Sequence, residues 1–335
     1  MSSEWTLHID AEGYPVMDGG IRGDDPEFLE IVFKNLRRYK GDDKFPLCTE
    51  MNGKEVLLSS FDDPLVAQEV LFEKNKLVWN FLGNLSFEVS LDELRVDEWN
   101  RLHAYVGPER IPAVMSHRAQ AAFLLKFVDL ASLKPSAYRS TVSDLSASRW
   151  NQPYVDNEMP WDMGGVNPVI AEHSKRMLEQ SGNRYLVPGA GTGHEVSFLE
   201  KASKSVTALD FSPQAKDKFL EHYPNCSAKY IVGDFFTESL EPFDAALELA
   251  FFVAIDPGLR SALVKRMHSL LKPGGFWGGS FFTRYSEEGP PFGLSEWELK
   301  QHVQEYFEVI EWQRSPYSHP RRKHMELWAL FKKKS

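Results

Sequence analysis

The chain has 335 residues, 42% of them hydrophobic and 26% charged, a composition ordinary for a globular protein and a length comfortable for two domains with sizeable cores. A formal net charge of −10 argues against nonspecific nucleic-acid or anionic-membrane binding as its main work. Two distant cysteines, Cys48 and Cys226, give neither a disulfide framework nor metal-ligand spacing, and no signal-peptide pattern or 18-residue apolar run occurs, so the expectation is a soluble, cytoplasmic protein without a metal.

In chain order, residues 5 to about 110 read as β-rich. Trp5 to Gly13 alternates and then turns, and strand-like pieces follow at Glu55–Ser59, Leu65–Phe72, Lys76–Leu82 and Phe87–Leu91, separated by Asn, Gly and Asp turns. Between them, Pro26 to Tyr39 carries Phe28, Leu29, Ile31, Val32, Phe33 and Leu36 at helical spacing, with Asp24 or Asp25 as N-cap. Ala119–Leu133 reads as a second helix, and the Ser-rich stretch 134–148, with Pro135, as a linker. The expected organisation is a β-rich (α+β) accessory domain over 1–133, the linker, and a catalytic domain over 149–335. The order of His-Ile-Asp-x-x-Gly, Phe-Pro-Leu-Cys-Thr-Glu, Val-Leu-Leu-Ser-Ser-Phe-Asp-Asp-Pro and Ile-Pro-Ala-Val-Met-Ser-His-Arg resembles the DUF1285 family of small bacterial β-domains. That resemblance implies no known chemistry. It leaves an accessory module, through which a homodimer could form, and a ligand sensor as the two readings.

After Trp150 the pattern changes to alternating strands and helices, the signature of a parallel α/β sheet. Seven strands are expected at Tyr185–Val187, Val206–Leu209, Lys229–Val232, Phe243–Leu249, Phe276–Phe282, Phe307–Trp312 and Met325–Phe331. Helices are expected between each of the first five, among them Pro213–His222 and Gly258–Leu271. The last two strands have no clear crossover helix, so they close as an antiparallel hairpin.

The stretch from Arg184 to Glu195 organises this half. An apolar strand ends at Pro188 and meets Gly189, Gly191 and Gly193 before a helix-like run. Bare glycine backbone at such a turn lets an extended cofactor lie close to the chain. Asp210 closes the second strand about 20 residues later, where an acid can accept from both ribose hydroxyls. Gly233-Asp234-Phe235-Phe236 closes the third, where Asp234 can accept from an adenine amino group and Phe235 can flank the ring. The alternative for Asp210 is a turn residue or an N-cap for the helix after Ser212-Pro213, and for Asp234 a turn residue. Leu270-Leu-Lys-Pro-Gly-Gly275 stops a helix before the fifth strand. The basic clusters Arg321-Arg322-Lys323 and Lys332–Lys334 read as solvated charge.

Together these motifs resemble the class I S-adenosylmethionine (SAM)-dependent methyltransferases, and residues 149–332 resemble more narrowly the thiopurine and thiol (halide) S-methyltransferase family. The resemblance rests on Arg149-Trp150, Pro160-Trp161-Asp162-Met163-Gly164-Gly165, Leu-Val-Pro-Gly-Ala-Gly-Thr-Gly, Leu-Asp-Phe-Ser-Pro, Gly-Asp-Phe-Phe, Phe-Phe-Val-Ala-Ile-Asp-Pro-Gly-Leu-Arg, Leu-Leu-Lys-Pro-Gly-Gly and Glu-Glu-Gly-Pro-Pro-Phe, in that order. It implies a Rossmann-like α/β fold with a seven-stranded sheet and SAM as cofactor. It also implies that Trp150 and Trp161 cover the donor while Gly189, Gly191, Asp210, Asp234 and Phe235 hold it. Tryptophan faces suit a sulfonium cation, at about 0.5–2 kcal/mol of cation–π attraction.

Methyl transfer from a sulfonium is an in-line displacement that needs alignment and water exclusion. A thiol needs little base assistance, whereas an amine or hydroxyl acceptor needs a positioned base. No catalytic residue is assigned; Glu248 and Asp162 are the candidates, with Asp156, Glu158, Asp256 and His194 also near the mouth. The chain departs from the family where an acid is followed by Tyr or Arg: here Glu248 is followed by Leu249, which donates nothing. Phe251, Phe252, Pro290, Pro291 and Phe292 would then line an apolar acceptor pocket, with ordinary core as the other reading of these aromatics. The expected activity is S-methylation of a small-molecule thiol or thiopurine-like acceptor. N- or O-methylation of a small metabolite and a non-catalytic SAM sensor are the alternatives; neither nucleic acid nor membrane is an expected partner.

Overall fold

The structure, a computed structural model, describes residues 5–17, 20–39, 47–73, 76–124, 134–135, 147–284, 286, 289–322 and 325–334. They group into two compact units: Met1–Ser140 with Arg284–Glu287 and Leu294–Glu298, and Thr141–Thr283 with Glu288–Gly293 and Leu299–Ser335. No helix among the described residues is long and apolar enough to cross a membrane.

The first unit holds a six-stranded sheet in the order Ile21–Arg22, Pro15–Met17, Trp5–Ile9, Lys54–Ser60, Leu47–Met51, Arg37–Arg38, together with sheets of three and five strands. Its helix spans Pro26–Lys34, capped by the Asp25 carboxylate, which accepts from Phe28 N–H at 2.9 Å. Leu29, Val32 and Phe33 turn one face into a core with Leu7, Ile9 and Trp79. The helix does not run on to Tyr39: it ends at Asn35, because Arg37 and Arg38 are drawn into a strand pair with Cys48 and Leu47. Leu65–Phe72 is likewise not one strand. Leu65–Ala67 pairs with Ile111–Met115, Glu69–Glu73 pairs with Lys76–Asn80, and the chain changes sheets at Gln68.

The second helix is His117–Leu124; the remainder of the expected helix, 125–133, lies outside the described residues. Of the expected linker, Lys134–Pro135 pairs with Arg95–Val96, residues 136–146 lie outside the described residues, and Ala147–Asp156 is helical. Within this first unit Trp297 covers the Arg101 guanidinium, 3.2 Å from its ring centroid, and packs edge-on against Trp99. Arg101 in turn binds Asp97 and Asp62, beside a buried His103 held between Asp63 and Asp97.

The second unit is a Rossmann-like α/β layer. Its strands are β1 (Arg184–Pro188), β2 (Ser205–Asp210), β3 (Lys229–Val232), β4 (Phe243–Leu249), β5 (Leu271–Phe282), β6 (Phe307–Arg314) and β7 (Glu326–Lys333). They lie in the order β3-β2-β1-β4-β5-β7-β6, all parallel except β7, which inserts antiparallel between β5 and β6. The central strands are apolar on both faces, as a covered parallel sheet requires: Tyr185, Leu186 and Val187 in β1, and Ala245, Ala246 and Leu247 in β4, are buried. The helices used below are α1 (Ala147–Asp156), α2 (Pro168–His173), α3 (Lys175–Gln180), α4 (His194–Lys201), α5 (Pro213–His222) and α6 (Phe251–Ala254). No helix joins β3 to β4, contrary to expectation; Asp234–Thr237 turns and the chain runs irregularly to Phe243. The order reverses between β1 and β4, so the C-terminal ends of these strands form the crevice in which open α/β sheets bind ligands.

Candidate functional site

β1 delivers Gly189, Gly191 and Gly193 to that crevice with φ of 61°, 52° and 83°. At Gly193 a Cβ would stand 2.2 Å from the Phe219 ring, and at Gly189 2.6 Å from the Phe251 ring, so both close packing and left-handed backbone demand glycine there. Gly191 is gripped at both ends of its peptide units. Its N–H donates to Asp210 Oδ2 at 2.8 Å, and its carbonyl accepts from the Tyr230 hydroxyl at 2.8 Å.

Asp210 ends β2, and its second oxygen accepts from Ser212 N–H at 2.9 Å. Burial pushes its pKa up, against those amide bonds. Each oxygen retains an acceptor lone pair, which suits a diol. Asp234 follows β3; Oδ1 accepts from Phe236 N–H at 2.9 Å, leaving Oδ2 to accept from elsewhere. The register sets Asp210 opposite Val232, and Gly233 N–H donates to Asp210 carbonyl, so the two acids stand on neighbouring strand ends. Phe235 itself is buried against Phe236 and Phe251, with ring centroids at 5.5 and 5.2 Å.

Trp150 and Trp161 meet edge-on at 5.9 Å, and Tyr154 meets Trp161 at 5.8 Å. Trp150 and Tyr154 are four residues apart on α1 and therefore share a face. The Tyr154 hydroxyl lies 3.3 Å from where a Cβ on Gly191 would be, so this aromatic trio borders the glycine loop. Burial, and then the nearby Asp210 charge, raise the Tyr154 pKa. Tyr154 and Tyr230 escaped the sequence reading. For Tyr154 the signal was available, as an aromatic one helical turn after Trp150.

The candidate acids behave differently from one another. Asp162 Oδ2 accepts from the Thr192 hydroxyl at 2.6 Å, while Oδ1 accepts from Gly164 N–H at 2.7 Å and lies 2.9 Å from His194 Nε2. Burial opposes ionisation, but the hydrogen bonds from His194, Thr192 and Gly164 outweigh it and hold this carboxyl well below the usual range. Such a group is a clamp rather than a proton acceptor. Asp256 caps a short 3-10 turn through Gly258 N–H, Asp156 is bound by Gln152, and Glu158 is exposed.

Glu248, at the end of β4, is 0% exposed. Its Oε2 accepts from Phe252 N–H at 2.9 Å, and its Oε1 has no partner. Burial pushes its pKa up to about 8, against the Phe252 and Phe251 amides and Arg322. This carboxyl ties down the turn into α6, in which Ala250 adopts φ of 56°. The same turn sends Phe252 into the core against Trp277 and Phe281, and Phe292 is also buried, so neither lines an open acceptor pocket. Leu249 faces the other way, sharing an apolar cluster with Tyr154, Val187, Ala190 and Trp161.

Beneath this lies a layer that sequence reasoning missed, since it had taken Arg322 for a solvated charge. Arg322 is buried; it donates to the Trp161 carbonyl at 2.8 Å and pairs with Glu326 at 3.5 Å. Glu326 also accepts from Asn167 and Ser280, and Asn167 N–H donates to the buried Glu195.

A glycine loop after the first strand, acids closing the next two, and an antiparallel strand inserted beside the fifth define a SAM-dependent methyltransferase. Residues 145–334, more than half of the chain, match the thiopurine S-methyltransferase family, and the chain belongs to that family. Among its relatives, a probable thiol methyltransferase 2 of Arabidopsis thaliana is 34% identical over 179 residues, covering 52% of this chain and 76% of the relative. Thiocyanate methyltransferase 1 of Brassica oleracea is 32% identical over 195 residues (55% and 84%), and a thiopurine S-methyltransferase of Vibrio cholerae 25% over 169 residues (45% and 78%).

Proposed function

We propose that the protein methylates sulfur in a small soft nucleophile, a thiol or a thiocyanate-like anion, using SAM held at the crevice described above. The observation that carries the acceptor class is Leu249. At the end of β4, which pairs with β1, and in one apolar cluster with Tyr154 and Trp161, it offers an acceptor no hydrogen bond and no base. Sulfur nucleophiles tolerate this, being weakly hydrated and already partly ionised near neutrality, whereas amines and alcohols need a proton acceptor in reach. The names of the thiol and thiocyanate methyltransferase relatives support the same class.

The residues present fit the donor. Left-handed backbone at Gly189 and Gly191 turns bare peptide toward the crevice, Asp210 suits the ribose hydroxyls, and Asp234 Oδ2 has an acceptor position to spare for a nucleobase amine. Trp150 and Trp161 shield the crevice from water. When bound, SAM supplies an electrophilic methyl group on a sulfonium. Asp210 and Asp234 bind and orient, the tryptophans exclude water, and Leu249 with Phe251 leaves the acceptor desolvated.

The test is turnover by the purified full-length protein with SAM and a panel of hydrosulfide, thiophenol, thiocyanate, a primary amine and a phenol, with methylated products read by mass spectrometry. Methylation confined to the sulfur compounds is expected. Methylation of the amine or phenol alone refutes the acceptor class. Binding of S-adenosylhomocysteine without any turnover points instead to a sensor.

A further inference from the structure

The segment carrying Trp161 has no regular structure of its own from Asn157 to Val166, yet it is tied down at two consecutive residues. The Trp161 carbonyl accepts from Arg322. Asp162 binds Thr192, the last side chain of the glycine loop, and His194, the first residue of α4. His194 is itself held from the far side. Its Nδ1 lies 2.6 Å from the Tyr223 hydroxyl, and its ring stacks on His222, with centroids at 6.0 Å and planes 16° apart. Thr192 is 5% exposed, so this contact is made away from bulk water. The hydrogen bond to Asp162 raises the His194 pKa against the pull of burial, which favours an ion pair.

We propose that Asp162 and His194 are positioning residues, a latch that fixes the Trp161 segment against the glycine loop and so pre-forms the cover over the methyl donor. The proposal rests on the reading that Trp161 lies over SAM. Neither latch residue needs to touch the reacting atoms. Asp162 has both oxygens committed within the protein, and His194 both ring nitrogens. Without the pair, the segment loses its ties to the glycine loop and keeps the Arg322 bond, the Trp161–Tyr154 hydrogen bond, the Glu158 N–H bond to the Pro153 carbonyl and apolar packing, so the donor must complete its ordering on binding. The loss falls on donor affinity, and catalysis at saturating donor is left nearly intact.

The experiment compares wild type with His194→Gln, Asp162→Asn and the double variant. S-adenosylhomocysteine affinity is measured by calorimetry, hydrogen exchange on the ligand-free proteins, and kinetics with hydrosulfide as acceptor. Expected are a tenfold or larger rise in Kd for each single variant and little further loss in the double. KM for SAM rises with kcat within threefold, and faster exchange is confined to residues 158–166. A variant Kd within twofold of wild type, or exchange accelerated uniformly across the second unit, overturns the latch. Should His194→Gln not fold, Thr192→Val removes one arm and leaves the ion pair, with a three- to tenfold rise expected and no change refuting the idea. Wild type that fails to bind S-adenosylhomocysteine overturns the donor site itself, a distinct result.

Discussion

Replacing Glu248 by Gln tests the electrostatics of the site most directly. In the unfolded chain this carboxyl titrates near 4.5, and in the folded protein burial moves it up to about 8. Between those values the native state holds a proton that the unfolded state has released, so stability falls as pH rises, by about 1.4 kcal/mol per pH unit. The contribution is intact below pH 4.5 and fully lost above about 8, at most about 5 kcal/mol across the window. Gln resembles the protonated acid: its oxygen can accept from Phe252 N–H, and its amide occupies the place of the unpartnered Oε1.

Urea or calorimetric unfolding of the two proteins between pH 5 and 9 reads the difference. Near pH 5 they should agree within about 1 kcal/mol, the scale of one net hydrogen bond. At pH 8.5 the variant should lead by about 3–5 kcal/mol, or roughly 6–20 °C in Tm for the second unit. A constant difference across the range would show that Glu248 ionises normally, and the account of Glu248 as an acid held neutral by burial would fail.

Other consequences follow from the same geometry. Asp210→Asn keeps the size but offers one acceptor oxygen where Gly191 and Ser212 amides now use two; S-adenosylhomocysteine affinity measured by calorimetry should fall about 10- to 150-fold, the worth of one hydrogen bond to a charged group. Gly193→Ala combines a φ of 83° with a contact 2.2 Å from the Phe219 ring, so a loss of about 2–5 kcal/mol is expected in chemical denaturation, and an unchanged midpoint contradicts the packing. In the first unit, Trp297→Ala uncovers Arg101 and Trp99; thermal unfolding of that unit should drop by about 1–3 kcal/mol in stability, and a silent variant would mean that segment 294–298 adds nothing to it.

Much of the second unit was legible because its code is local. A buried strand running into glycines, Ser212-Pro213 opening a helix, and acids at strand ends are each specified within a few residues. In the first unit the same local reading ran strands and helices too far. It carried the helix on to Tyr39 and treated Leu65–Phe72 as one strand, because the sheet partners that claim Arg37 and split the chain at Gln68 lie elsewhere in the sequence. Phe252 and Phe292 stayed open between pocket wall and core for a related reason: the Glu248-held turn sends Phe252 inward, and Phe292 is fixed by its N–H bond to the Val253 carbonyl, a contact between distant segments.

What the sequence determined by itself is therefore the family, the donor, and the positions of Gly189, Gly191, Asp210 and Asp234, because neighbouring residues dictate the turn that presents them. Tertiary structure alone decided the environments. Arg322 reads as surface charge until β7 and the Trp161 segment bury it, Asp162 reads as a base until Thr192 and His194 close on it, and Glu248 becomes a neutral acid only where water is excluded. Backbone conformation is a short-range property; the dielectric around a charge, and the partners that satisfy it, depend on residues brought together from across the chain.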